Sequence, residues 1–434
     1  MKTTYLLLCL LGIGSVSGAG QTKQPQKIGD FIESTSYNEH RRNATRSLQY
    51  TPDGDDFVCI NGKNRFTRAL YGSHTAFRLE TSDRPVFAAY TKKNPKHICF
   101  KLQTSGGTVA LDSTEHCESR YTAGRRSYNL FHPSFEGGNL SIATLALPDK
   151  EGAIWQFNAR NFKGSNPILL TSISEIRNSK LNRNGDMGAD PADSFEAPLQ
   201  PQQLQSCPAQ IDGTLYILLE NQELRTLTTA EGETLFKKAE AARSETASRI
   251  RIETPDPYFN TLGGTLAMAA DGIWDGEVWL HGAIGWRMPL SGWRAAYTGD
   301  VLGWHDRART HFNAYAASQV TEVPNTLPHP AQDSALHLAR SVKKWGTPQY
   351  SNGYICRNPH RNNQMHHYDM NLCYIDELLW HFKWTGDLDY VRQMWPVITR
   401  HLAWEKLNYD PDNDGLYDAY ACIWASDALY YNSG

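Results

Sequence analysis

The chain has 434 residues, 43 of them Lys or Arg and 46 Asp or Glu, giving a formal net charge of −3. That balance leaves no cationic excess to neutralise a phosphate backbone, which argues against a general nucleic-acid binder. A hydrophobic fraction of 40% against 21% charged residues describes a chain that folds, and its length suits two large domains better than one. Of the twelve Trp, all but Trp155 stand at or after Trp274, so the two halves are built differently.

Met1 and Lys2 are followed by an apolar run from Leu6 to Ile13 and then by the small residues Ser15, Ser17, Gly18 and Ala19. The run is too short to cross about 30 Å of hydrocarbon. Residues 1–19 therefore read as a secretory signal peptide, and the expected location is the periplasm or the exterior. No later stretch approaches about 20 uninterrupted apolar residues, so no membrane span is expected. Beyond Cys9, the cysteines are Cys59, Cys99, Cys117, Cys207, Cys356, Cys373 and Cys422. An odd number at wide spacing is neither a disulfide framework nor a metal site. Buried thiols are the favoured reading, and a Cys99–Cys117 bridge is the alternative.

Residues 28–225 read as a β-sandwich. Short β-branched or aromatic segments recur between turn residues: Phe57–Ile60, Val86–Tyr90, His97–Leu102, Leu140–Leu147, Ile154–Ala159, Ile168–Ile173 and Leu215–Leu219. Asn182–Pro208 is polar, carries four prolines and reads as a surface loop. The period then changes. Within a linker of 229–253, Ala230–Arg251 reads as a charged helix with Leu235, Phe236, Ala239 and Ala242 on one face. Residues 254–434 read as helical, with helices expected at Pro257–Ala270, Trp304–Val320, Asp333–Lys344, Asp369–Trp384 and Asp387–Asn408.

The run Lys383-Trp384-Thr385-Gly386-Asp387, the helix after it and the turn Asp410-Pro411-Asp412-Asn413-Asp414-Gly415-Leu416-Tyr417 resemble one hairpin of the six-hairpin glycosidases. Those are (α/α)6 barrels that commonly follow a β-sandwich and hydrolyse glycosidic bonds at the barrel mouth. Gly386 can take the left-handed conformation that ends one helix, and Asp387 can cap the next. Through Gly285-Trp286-Arg287-Met288, Gly292-Trp293-Arg294 and Trp304–Arg309 the chain also resembles a Bacteroidetes group within that superfamily. Thr298–Trp304 is similar to the E-R-L-G-W segment of the α-L-rhamnosidase-like members. The similarity places Asp300 on the general acid and Gly303 and Trp304 on the G-W pair. The family's second Asp would fall at Arg307, with Asp306 one residue short.

Glycoside hydrolysis needs a protonated carboxyl and a second carboxylate, with aromatic faces and polar side chains to hold the sugar. Asp300 is the candidate acid and Asp427 the candidate second carboxylate. Trp293, Arg294, Trp304, His305, Asp306, Arg307, His367, Tyr368, Asp369 and Trp424 are the candidate glycan contacts. Four of these have a blander reading: Asp300, Asp306 or Asp369 as a helix-end carboxylate, worth about 0.3–1 kcal/mol, and Tyr368 as packing. Mid-helix Glu377 reads as structural. Asp410, Asp412 and Asp414 match the start of an EF-hand loop, but Ala421 stands where the bidentate Glu is required. A helix-to-helix turn is favoured there, a looser Ca2+ site being the alternative, and no other cofactor is expected. Asn43-Ala44-Thr45 fits the glycosylation pattern and reads as a chance match.

Pro257–Gly434 holds about three hairpins at on the order of 50–60 residues each, so the expectation is an incomplete barrel. Three functions stay open: an exported glycoside hydrolase or an incomplete copy of one, a polysaccharide lyase using His305, Tyr368 or His367 as base, and a non-catalytic glycan-binding remnant.

Overall fold

The computed structural model describes residues 50–63, 68–72, 76–90, 95–148, 150–164, 166–176, 205–282, 288–292, 295–321, 351–363, 369–410 and 413–416. The first strands are β1 (Thr51–Asp53), β2 (Asp56–Ile60), β3 (Arg68–Tyr71), β4 (Arg78–Thr81) and β5 (Val86–Tyr90). Then come β6 (Lys96–Thr104), β7 (Gly107–Ala110), β8 (His116–Thr122), β9 (Arg125–Phe131) and β10 (Asn139–Ala146). The last are β11 (Gly152–Arg160), β12 (Ile168–Glu175), β13 (Gln205–Gln210), β14 (Thr214–Glu220) and β15 (Glu223–Leu227). All pairings are antiparallel. One sheet runs β1-β2-β8-β9-β10-β11-β14-β15; the other runs β13-β12-β6-β5-β4-β3, with β7 on β6.

The two sheets share one apolar core. Phe87 and Phe100 from one sheet meet Trp155 and Phe157 from the other in edge-on contacts, with centroids 5.5 Å apart for Phe87–Trp155 and 5.0 Å for Phe100–Phe157. Edge-to-face aromatic pairs add about 0.5–1.5 kcal/mol beyond the area they bury.

All seven expected strand segments are present, and the expected 182–208 loop is corrected at its end, where Gln205 begins β13 on β12. Strands β8 and β9 escaped the sequence reading because their inward residues include Cys117, Ser119 and Arg126, not an apolar series. Their alternation of buried and half-buried positions is a strand period carried by polar residues. The Cys99–Cys117 bridge is also corrected, since both are free thiols. Cys117 lies in the core between the sheets, whereas Cys99 packs with Val86, Ala88 and Tyr90 in a separate cluster.

Helix α1 (Thr229–Ala247) is the expected connector. Thr228 and Glu231 form a reciprocal capping box at its start, with Oγ1 of Thr228 accepting from Glu231 N–H. Its Phe236 and Ala239 are buried and its Leu235 half-buried against Leu145, Ile154, Tyr216 and Leu218 of the eight-stranded sheet. That cover explains why β14 is buried on both faces. A side chain at Gly232 would collide with the Tyr216 ring, so the close approach requires glycine.

After α1 the chain is helical. The expected Pro257–Ala270 helix is two, α2 (Pro257–Asn260) and α3 (Gly263–Gly272). Asn260 turns its side chain back onto Thr254, and the Gly263-Gly264 pair is weakly helix-forming. Helix α4 (Tyr297–Val301) precedes α5 (His305–Ala316), which is shorter than the expected Trp304–Val320 because Ser318 and Gln319 bond to the 353–356 segment. Helix α6 (Asp369–Thr385) and α7 (Leu388–Tyr409) follow as expected. Gly386 is left-handed at φ 62° and Asp387 caps α7 by accepting from Tyr390 N–H at 3.0 Å. The expected Asp333–Lys344 helix and residues 1–19 lie outside the described residues. No helix among the described residues is long and apolar enough to cross a membrane.

Candidate functional site

Asp300 lies on α4 with 4% of its surface exposed. Two imidazoles converge on its carboxylate. His305, at the first position of α5, donates from Nδ1 to Oδ1 at 2.7 Å. His381, on α6, lies 2.9 Å from Oδ1 and 3.0 Å from Oδ2 through its own Nδ1. The two rings differ sharply in setting. His381 is wholly buried, packed on Phe312 and edge-on to Tyr390, and its Nε2 has no hydrogen-bond partner. The His305 side chain is 46% exposed, so the carboxylate holds one face of a ring whose other edge reaches solvent. Sequence reading named Asp300 and His305 but missed His381. The available signal was a histidine on the apolar stripe of Tyr374, Leu378 and His381.

Trp304 is buried and packed from two sides. Arg307 sits 4.3 Å from its ring centre and Arg249, just past α1, at 5.2 Å. Arg249 also donates to the Leu302 carbonyl at 2.9 Å, tying the connector to the α4–α5 junction. Arg307 donates to Asp271, which is buried on α3, at 2.7 Å. Trp304 and Arg307 thus join the connector, α3 and α5, and the Trp304 ring is buried beneath the two guanidiniums. Asp306 is exposed on the first turn of α5, where a carboxylate favours the helix N-terminus.

At the other end of α5, Trp279 N–H donates to Nδ1 of buried His311 at 3.2 Å, and His360 N–H donates to the Ala314 carbonyl at 2.9 Å. Burial drives the His311 imidazole down to about 3, with the Ser291 backbone, which favours the protonated ring, opposing. Glu277 and His360 pair at 2.6 Å on the surface beside it. Glu377 on α6 is 2% exposed. Asp410 accepts from Gly415 N–H at 3.3 Å, the geometry of a turn-closing side chain. Asp369 opens α6, its side chain lying outside the described residues, as do Trp293, Arg294, His367, Tyr368, Asp412, Trp424 and Asp427. Among the described residues no group of three or more His, Cys, Asp or Glu is placed to hold a metal ion.

Residues 95–249 match a domain of unknown function (DUF4450). The matched segment runs from β6 to the end of α1, well under half of the chain, and stops short of Asp300. No curated protein matches the chain.

Proposed function

We propose that the protein is an exported glycoside hydrolase of the six-hairpin type, acting on a complex oligo- or polysaccharide through the Asp300–His305 pair. One observation carries the reading. A buried carboxylate, steadied by His381, holds Nδ1 of an imidazole whose far edge is open to solvent. A carboxylate at Nδ1 fixes the ring and stabilises the imidazolium that forms as a proton moves. In this reading Asp300 acts through His305, which delivers the proton to the departing glycosidic oxygen, and Asp427 is the proposed second carboxylate. The order of parts supports the same class: two antiparallel sheets, a connector and paired helices, with an aromatic-Thr-Gly-Asp junction between α6 and α7.

An exposed, carboxylate-held imidazole also suits proton abstraction from a uronate, which is the polysaccharide lyase reading. Incubation of the protein with neutral and uronate-containing glycans separates the two. Hydrolysis releases reducing ends without ultraviolet absorbance from an unsaturated sugar. Release accompanied by that absorbance selects elimination and overturns hydrolysis.

A further inference from the structure

A cavity of about 510 Å3 opens where the sandwich, the connector and the first short helices meet. The β1–β2 and β8–β9 hairpins each fold back through a two-residue turn, since Asp53 pairs with Asp56 and Thr122 with Arg125. Phe57 pairs with Tyr121, a register that sets Asp55 in the first turn alongside Ala123 in the second. Both line the cavity with Thr122. The last turns of α1 contribute Ser244, Ala247 and Ser248, and the α2–α3 junction contributes Thr261 and Gly264.

Contacts beside the cavity fix its frame. Arg243 donates from Nη1 to the Ala123 carbonyl at 2.8 Å, while Glu240 holds its other nitrogens at 2.6 and 3.1 Å. Gly124 is left-handed at φ 79°, and a side chain there would collide with Met268 and Arg243. A side chain at Gly264 would press on Ala123 and on the Ala247 carbonyl. The elements therefore meet at small residues, and the hollow is framed before a ligand arrives, which lowers the cost of binding.

The lining keeps unused hydrogen-bonding capacity. The hydroxyls of Thr122 and Ser244 and the carboxylate of Asp55 have no partner among the described residues. Thr261 spends its hydrogen on the Tyr258 carbonyl at 2.8 Å and Ser248 its own on the Glu245 carbonyl at 2.9 Å, each keeping lone pairs that accept. Ile250, Ile252 and Ala247 add apolar wall. Neither sign of charge prevails. Arg243 is taken by Glu240, Arg251 lies 3.5 Å from Glu253, and Asp55 adds a carboxylate. An anionic ligand would find no uncommitted cation and would meet Asp55 as like charge.

We propose that this cavity binds a short neutral oligosaccharide. A sugar offers apolar C–H faces to the isoleucines and a rim of hydroxyls that both donate and accept, which matches free hydroxyls beside a carboxylate that only accepts. The volume falls within the roughly 300–1,000 Å3 of pockets that enclose small ligands, and such pockets favour junctions between domains. The site goes beyond the hydrolytic reading, because none of its lining residues belongs to the Asp300, His305 and His381 cluster.

The test is calorimetric titration of the full chain with cellobiose, maltose and mannobiose, and with digalacturonate as the charged control, alongside thermal unfolding. Wild type should bind at least one neutral disaccharide, and more tightly than digalacturonate. Thr122→Val keeps the shape of the side chain and removes its hydroxyl. It should bind roughly three- to tenfold more weakly, the usual range for one lost hydrogen bond, and melt like wild type. Ser244→Trp fills the cavity from an exposed helix position and should abolish binding; if it melts early, Thr122→Val alone carries the test. His305→Ala should leave the affinity unchanged. No binding of any neutral disaccharide, preference for digalacturonate, unchanged affinity in either folded cavity variant, or loss of binding in His305→Ala overturns the site. Binding at the cavity without cleavage of any glycan leaves the site standing and overturns hydrolysis alone.

Discussion

Asp300 and His381 are joined at 2.9 and 3.0 Å through both carboxylate oxygens, linking a five-residue helix to the middle of the helical unit. The contact is buried, so its loss is not compensated by water. His381→Leu removes the buried donor and leaves Asp300 with His305 alone. We expect a loss of about 1–3 kcal/mol, the cost of stranding a buried polar group, read by urea denaturation. An unchanged midpoint would show that the pair contributes no net stability.

The Asp271–Arg307 pair makes a second prediction. Arg307→Met keeps the aliphatic packing on Trp304 but removes the guanidinium beside buried Asp271. Breaking a buried pair from one side typically costs about 3–5 kcal/mol. Adding Asp271→Asn should recover much of that loss. Additive losses in the double variant would mean that the two side chains are not coupled.

Two buried groups give the stability–pH curve opposing slopes. His311 is pushed by burial from 6.5 to about 3 in the folded chain. The unfolded chain therefore binds the extra proton between those values, and the His311 contribution, present above 6.5, is lost as pH falls toward 3. Burial raises Glu80 from 4.5 to about 7, with Arg78 opposing. Here the folded chain holds the extra proton, so its contribution is present below 4.5 and lost as pH rises through 7. Between 4.5 and 6.5 the two oppose each other. His311→Gln should leave stability falling with rising pH in that window, and Glu80→Gln should leave it rising. Parallel curves for the two variants, measured by denaturant titration across this range, would contradict the assignment.

Much of this arrangement was legible in the residues. The Gly386-Asp387 junction announced a helix end and a helix cap, and both are present. Phe236 and Ala239 marked the connector's buried face correctly. What stayed hidden depended on contacts between distant segments. Nothing local in Arg249 signals that it packs on Trp304, and His381 differs from an ordinary core histidine only because α4 brings Asp300 to it. Strands β8 and β9 were concealed for a related reason: Ser119 and Arg126 are inward but polar, satisfied in part by each other at 3.3 Å.

The account's central claim is that His305, held by Asp300, delivers a proton to the glycosidic oxygen. The most direct measurement is kcat of wild type and Asp300→Asn on an oligosaccharide and on the matching activated aryl glycoside, whose leaving group needs little protonation. We expect Asp300→Asn to lower kcat on the oligosaccharide by roughly two to four powers of ten, the usual share of general acid catalysis, and to spare the aryl glycoside. Equal losses on both substrates, or wild-type protein that cleaves neither, would contradict the claim.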